Sequence, residues 1–131
     1  MGCVQVEIVE GPLAGARSAP NEDDAGLAAG TFGARLVFEG VVRRREGEGE
    51  IDALRYQAYE PMAQRQIEAL AADLIARHGV LALRVEHSRG RVAVGAVSFR
   101  LTVWSVHRKE GLAAADEFID RLKRDVPIWK V

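Results

Sequence analysis

The stretch LALRVEHSRGRVAVGAVSFRLTVWSV, residues 81–106, decides the fold class. Leu81, Leu83, Val85 and His87 share one face of a strand, and Val97, Phe99, Leu101 and Val103 alternate with Ser98, Arg100 and Thr102 in a second. Ser88, Arg89, Gly90 and Arg91 have the composition of a turn, so the segment reads as two strands joined at 88–91.

Downstream, Leu112, Ala115, Ile119 and Leu122 form one stripe of a helix over 109–124, which Val126-Pro127 ends. Upstream, Ile67, Leu70, Ala71, Leu74 and Ile75 recur at helical spacing over 61–78, with Pro61 suited to the first helical position and Gly79 to the C-terminal stop. Leu54, Tyr56 and Ala58 alternate in a half-buried strand, GARLVFEGVV at 33–42 is β-branched and apolar, and Val4, Val6 and Ile8 open the chain in the same manner. Residues 11–31 read as a loop, with one short helix starting at Pro20-Asn21, where Glu22, Asp23 and Asp24 would favour its positive end and Leu27 would supply the apolar contact. The run from Arg43 through EGEGE reads as a mobile polar loop. This order of elements predicts an α+β domain with a mostly antiparallel sheet and covering helices.

A length of 131 residues suits one domain, 1–131. Lys plus Arg number 18 against 19 for Asp plus Glu, a net charge of −1, so any anion site has to be local and broad nucleic-acid affinity is disfavoured. Cys3 stands alone, which excludes an internal disulfide and a cysteine metal cluster. The three histidines show no paired ligand spacing, so no metal is expected. Neither a phosphate loop ending in G-K-[ST] nor a G-x-S-x-G elbow occurs. With no basic-then-apolar leader and no membrane-length apolar run, the protein is expected to be cytoplasmic.

The polar residues that carry chemical interest fall at element ends: Arg43, His107, Arg108, Lys123 and Lys130. Brought together they would hold an anion, Arg through bidentate contacts and Lys as a point charge. Each also has a plain structural reading. Arg43 to Arg45 suit a solvated turn balanced by Glu46, Glu48 and Glu50; His107-Arg108 suit a helix start, and Lys123 the negative end of a helix. Lys130 suits a frayed tail, His78 a helix end, and His87 a hydrogen-bonded core position. Spacing alone leaves both readings open.

Four blocks carry a resemblance: GARLVFEGVVR at 33–43, LRYQAYEPMA at 54–63, HSRG at 87–90 and VHRKEGLAAADEFIDRLKRDVPIWK at 106–130. In order and spacing they resemble the large, catalytic subunit of molybdopterin synthase, with 1–32 as a variable N-terminal strand and loop. The resemblance implies an α/β hammerhead-like fold and a homodimer of large subunits within a heterotetramer. It implies a small ubiquitin-like sulfur-carrier partner ending in a Gly-Gly thiocarboxylate, and cyclic pyranopterin monophosphate as substrate. The reaction implied is sulfur transfer that makes molybdopterin, with no cofactor, no membrane and no nucleic acid.

Position by position, Arg43 matches the family's G-x-V-R arginine, preceded by Val41 and Val42 that line the substrate. His107 and Arg108 match its HR pair, Lys123 its D-x-LK lysine and Lys130 its P-[IF]-W-K lysine, the two lysines being the catalytic ones. Val131, beside Lys130, is counted with the substrate-binding residues; relatives usually continue past a second Lys, so the shorter tail is expected to mean either a looser grip on substrate or partner, or a terminal carboxylate that perturbs Lys130. On this reading Arg43, His107 and Arg108 bind the phosphate and polarise the ring. Lys123 is the general acid–base group, its pKa drawn down by neighbouring cations, and Lys130 positions the thiocarboxylate or stabilises an acyl intermediate. Cys3 lies outside every block, so the sulfur should arrive on the donor. The rival from another class is a non-catalytic relative that binds a ubiquitin-like tail or a phosphorylated small molecule; turnover separates the two. A nucleic-acid binder using Arg43 to Arg45 is disfavoured by the acidic neighbours and the lack of interleaved aromatics.

Overall fold

The computed structural model describes residues 3–14 and 25–130. Among these described residues eight strands and two helices follow in the order β1 (Cys3–Glu10), β2 (Ala34–Val41), β3 (Arg45–Glu46), β4 (Gly49–Glu50), β5 (Ala53–Ala58), α1 (Met62–His78), β6 (Ala82–Ala93), β7 (Val97–Ser105), α2 (Arg108–Asp125) and β8 (Ile128–Lys130). The main sheet runs β2-β7-β6-β5-β8, all antiparallel, and β1 adds a parallel partner to β6. The α+β expectation with a mostly antiparallel sheet holds.

The alternation in 81–106 sorts the two central strands into an apolar and a polar face. Leu83, Val85, Phe99, Leu101 and Val103 meet Ile67, Leu70, Leu74, Phe118 and Leu122 of the helices in one buried cluster. Phe99 stacks on Phe118 with ring centroids 6.4 Å apart. Burying each such side chain contributes about 1.5–3 kcal/mol, which is why the helices stay on this face. On the other face Arg100 is buried, its Nε donating to Glu39 and its Nη1 to Glu86, each at 2.8 Å, and its Nη2 to the Ala14 carbonyl. A buried guanidinium is tolerable because each edge of its fork has a partner.

The turn expected at 88–91 is not there. β6 continues to Ala93 and the chain reverses at Gly95, whose φ is +89°. Turn composition is overridden because both parts of β6 find backbone partners: residues 82–89 pair with β1, then Gly90 to Ala93 pair with β5. Gly90 marks the changeover with φ +79°, a conformation that strains any L side chain and favours glycine.

In α1, Ala63, Ile67, Leu70, Ala71 and Leu74 are buried, and Gly79 closes it in the left-handed region with its N–H on the Ile75 carbonyl. Pro61 is the N-cap, one place before the expected first helical position. In α2 the inward positions are Gly111, Ala114, Phe118 and Leu122, while Leu112, expected on the core stripe, is exposed. The 3.6-residue period admits either neighbouring stripe, and Phe118 has the larger apolar surface to bury. A seam of charge joins the helices. Arg77, His78 and Arg121 all reach Glu117, and Arg121 also donates to Asp73 at 2.7 Å. The expected loop at 43–50 contains a hairpin, Arg45 opposite Glu50 and Glu46 opposite Gly49, turning through Gly47 at φ +62°. Of the short helix expected near Pro20, residues 20–24 lie outside the described residues, and Ala25-Gly26 form a turn.

Candidate functional site

Lys130 is not in a frayed tail. It ends β8, which pairs with β5 so that Lys130 lies opposite Tyr56, Trp129 opposite Gln57 and Ile128 opposite Ala58. That pairing fixes where the Lys130 ammonium is presented, and its Nζ donates to Oε1 of Glu46 at 2.9 Å. Glu46 belongs to the β3-β4 hairpin that follows Arg43. Its carboxyl is held below the usual range, first by the Lys130 hydrogen bond and charge, with the positive charges of Arg43 and Lys123 acting in the same direction. Of the five expected cations Lys130 is thus in direct contact with Glu46, while Arg43, in the β2-β3 connection, and Lys123, in the last turn of α2, lie near enough for their charges to act on the same carboxylate.

His107 and Arg108 do not join them. His107 is the N-cap of α2 and Lys123 lies in its last turn. Arg108 and Lys123 are thus about four turns apart, roughly 22 Å along the axis, beyond the reach of two side chains. The backbone N–H of His107 donates to Glu110 Oε2 at 3.0 Å, and backbone hydrogen bonds at this helix start hold the Glu110 carboxyl low. Ser105 Oγ donates to the His107 carbonyl at 2.6 Å. The capping reading is correct: His107 and Glu110 form a capping box, and the His107 ring, 79% exposed, has its Nδ1 3.8 Å from Glu110 Oε2.

Val41 is 49% exposed at the end of β2. Val42 is not surface: its side chain is 3% exposed, its N–H donates to Ala96 and its carbonyl accepts from Gly95. Val131 lies outside the described residues. His87 is the core residue expected of it. Its Nδ1 donates to the Ser88 carbonyl at 2.7 Å, its ring meets Tyr56 edge-on with centroids 5.3 Å apart, and burial holds its pKa below the ordinary value. Among the described residues no three His, Cys, Asp or Glu side chains are grouped to hold a metal.

Sequence reasoning missed Glu46, which it weighed only as a balancing charge for the basic turn. Its signal was the alternation of Glu and Gly at 46–50, a hairpin pattern rather than a shapeless run.

The model of the MoaE protein family matches residues 17–125. The chain belongs to the MoaE protein family. The match takes in Arg43, His107, Arg108 and Lys123 and stops short of Lys130. Among MoaE-like relatives, the molybdopterin synthase catalytic subunit of a Nostoc species is 40% identical over 99 residues, 75% of this chain and 60% of that protein. The chain spans about half the length of other curated relatives it matches. Among solved structures, the molybdopterin synthase of Staphylococcus aureus superposes with a TM-score of 0.79 at 28% identity, covering 95% of this chain and 87% of that one. A complex of subunits 1 and 2 of the molybdopterin-converting factor from Helicobacter pylori gives 0.73 at 30% identity, covering 95% and 82%. These likenesses agree with the fold derived above.

Proposed function

We propose that the chain is the catalytic subunit of a molybdopterin synthase, a sulfurtransferase that moves sulfur from the C-terminal thiocarboxylate of a small ubiquitin-like subunit to cyclic pyranopterin monophosphate. The observation that carries this reading is the contact of Lys130 with Glu46, where the charges of Arg43 and Lys123 also act. Cations from three separate elements bearing on one place suit an anion, and both the cyclic phosphate and a C-terminal carboxyl derivative are anions. The names of the relatives and the two-subunit complex from Helicobacter pylori point the same way.

In this reading Arg43 offers planar, bidentate hydrogen bonds to the phosphate. Lys123 gives up and recovers a proton at the reacting centre, and Lys130 holds the incoming carboxyl derivative, offsetting the charge that develops on its oxygen when sulfur is transferred. Because Arg108 lies about four turns of α2 from Lys123, this reading brings His107 and Arg108 to the substrate from a second copy of the chain, the working site being shared between two protomers of a homodimer with a small subunit docked at each site.

The test is to mix the protein with a thiocarboxylated small subunit and cyclic pyranopterin monophosphate and to follow molybdopterin through its fluorescent oxidation product. The natural chain gives product, and Lys123→Ala lowers the rate by about 100-fold or more, the usual worth of a positioned acid–base group. Product formation at near-normal rate by Lys123→Ala removes that lysine from the chemistry. Partner binding without turnover by the natural chain would mean a non-catalytic relative.

A further inference from the structure

A cluster of cations fitted to an anionic substrate has no evident need of a carboxylate in its midst, yet Glu46 is hydrogen-bonded to the lysine that would receive one. We propose that Glu46 is an internal counter-ion of the site, whose carboxylate competes for the Lys130 ammonium with the oxyanion that Lys130 binds during the reaction, a substrate phosphate or the carboxyl terminus of the partner. The inference rests on the function proposed above.

Three features support it. Glu46 is hydrogen-bonded to Lys130, and the charges of Arg43 and Lys123 act on the same carboxylate, so its negative charge offsets the accumulation of positive charge there. The contact is exchangeable, because the Glu46 and Lys130 side chains are 32% and 54% exposed and such pairs are weak. The hairpin that carries Glu46 is also free to yield. It has two rungs, Arg45 to Glu50 and Glu46 to Gly49, is anchored at its base by the Ile51 N–H on the Arg44 carbonyl, and turns at Gly47. A cyclic phosphate diester and a carboxylate each carry one negative charge, so either ligand has to displace an equal charge from Lys130, and Glu46 lowers the affinity of the site for both.

The test uses Glu46→Gln, which keeps the acceptor oxygen and removes the charge, beside Glu48→Gln, which makes the same change in net charge on the exposed tip of the same hairpin. The probes, followed by titration calorimetry, are inorganic phosphate and a short peptide ending in a free Gly-Gly carboxylate. Glu46→Gln should bind at least one probe roughly three- to fivefold more tightly than the natural chain, and Glu48→Gln should not. A gain in affinity is not what a loss of structure produces. Tightening of phosphate alone assigns the contested position to the substrate, and tightening of the peptide alone assigns it to the partner. Equal affinities in the natural chain and Glu46→Gln overturn the counter-ion. Binding that is indifferent to Lys130→Ala, or absent throughout, overturns the site reading as well, so the two failures are told apart.

Discussion

His87 shows how a side chain with two plausible roles is assigned by its surroundings. It lies in β6 on the core face, between Tyr56 and Phe99, and burial opposes its charged form. Because a backbone carbonyl only accepts, the contact with Ser88 places the proton on Nδ1. The folded chain therefore takes up the His87 proton only below the ordinary value of 6.5, whereas the unfolded chain takes it up near that value. Stability consequently falls as pH drops from about 6.5 toward the folded pKa, at up to 1.4 kcal/mol per pH unit for this one group. NMR titration should find the His87 ring neutral at pH 6.5 and its midpoint below that; a midpoint at or above 6.5 contradicts the account. Lys130 and Glu46 illustrate the opposite case, two exposed groups whose meaning comes from each other and not from burial.

At the scale of elements, the placement of α2 against β7 decides where the cations at its two ends point. Gly111 faces inward at the first turn, and a Cβ there would lie 2.6 Å from Ser105 Oγ and 3.1 Å from Leu36 Cδ1. Ser105 has little freedom to move aside, since its hydroxyl is buried and bonded to the His107 carbonyl. Gly111→Ala should therefore destabilise the protein by about 1–2 kcal/mol, although alanine is the better helix former by about 1 kcal/mol, because overpacking opposes that gain. Chemical denaturation reads the difference, and a variant as stable as the natural chain would show that the helix start shifts without cost. The helix periods were legible in the sequence down to Gly79 and Val126, since Gly and Pro punctuate them. The face of α2 was not, because Leu112 and Phe118 both offer apolar surface and only the packed sheet chooses between them. The turn at Ser88–Arg91 was misread for a related reason, since its composition is local while the pairing of β1 and β5 that keeps it extended is not.

At the scale of the molecule, the distance along α2 makes a specific demand. Within a single chain the charges of Arg43, Lys123 and Lys130 all act on Glu46, but Arg108 lies roughly 22 Å along the helix axis from Lys123. If two-fold related copies complete each other's sites, Lys123→Ala and Arg108→Ala fail in different halves of one site. Mixing the two inactive variants after exchange of subunits should then restore roughly a quarter of natural activity, because half the dimers are mixed and each has one intact site. No recovery, with exchange confirmed by mass, would place all five cations within one chain and contradict the helix geometry.

The sequence by itself determined the α+β class, the two helices, most strands and the short roster of cations, because periodicity and punctuation are local properties that each segment carries with it. It also carried the family blocks in which Arg43, His107, Arg108, Lys123 and Lys130, already marked by their places at element ends, fall. Only the tertiary structure decided that Lys130 sits in a paired strand, that Glu46 meets it, and that His107 and Arg108 lie at the far end of α2. Those facts depend on backbone hydrogen bonds and distances between residues remote in the chain, and charge at a distance leaves no periodic trace in a sequence.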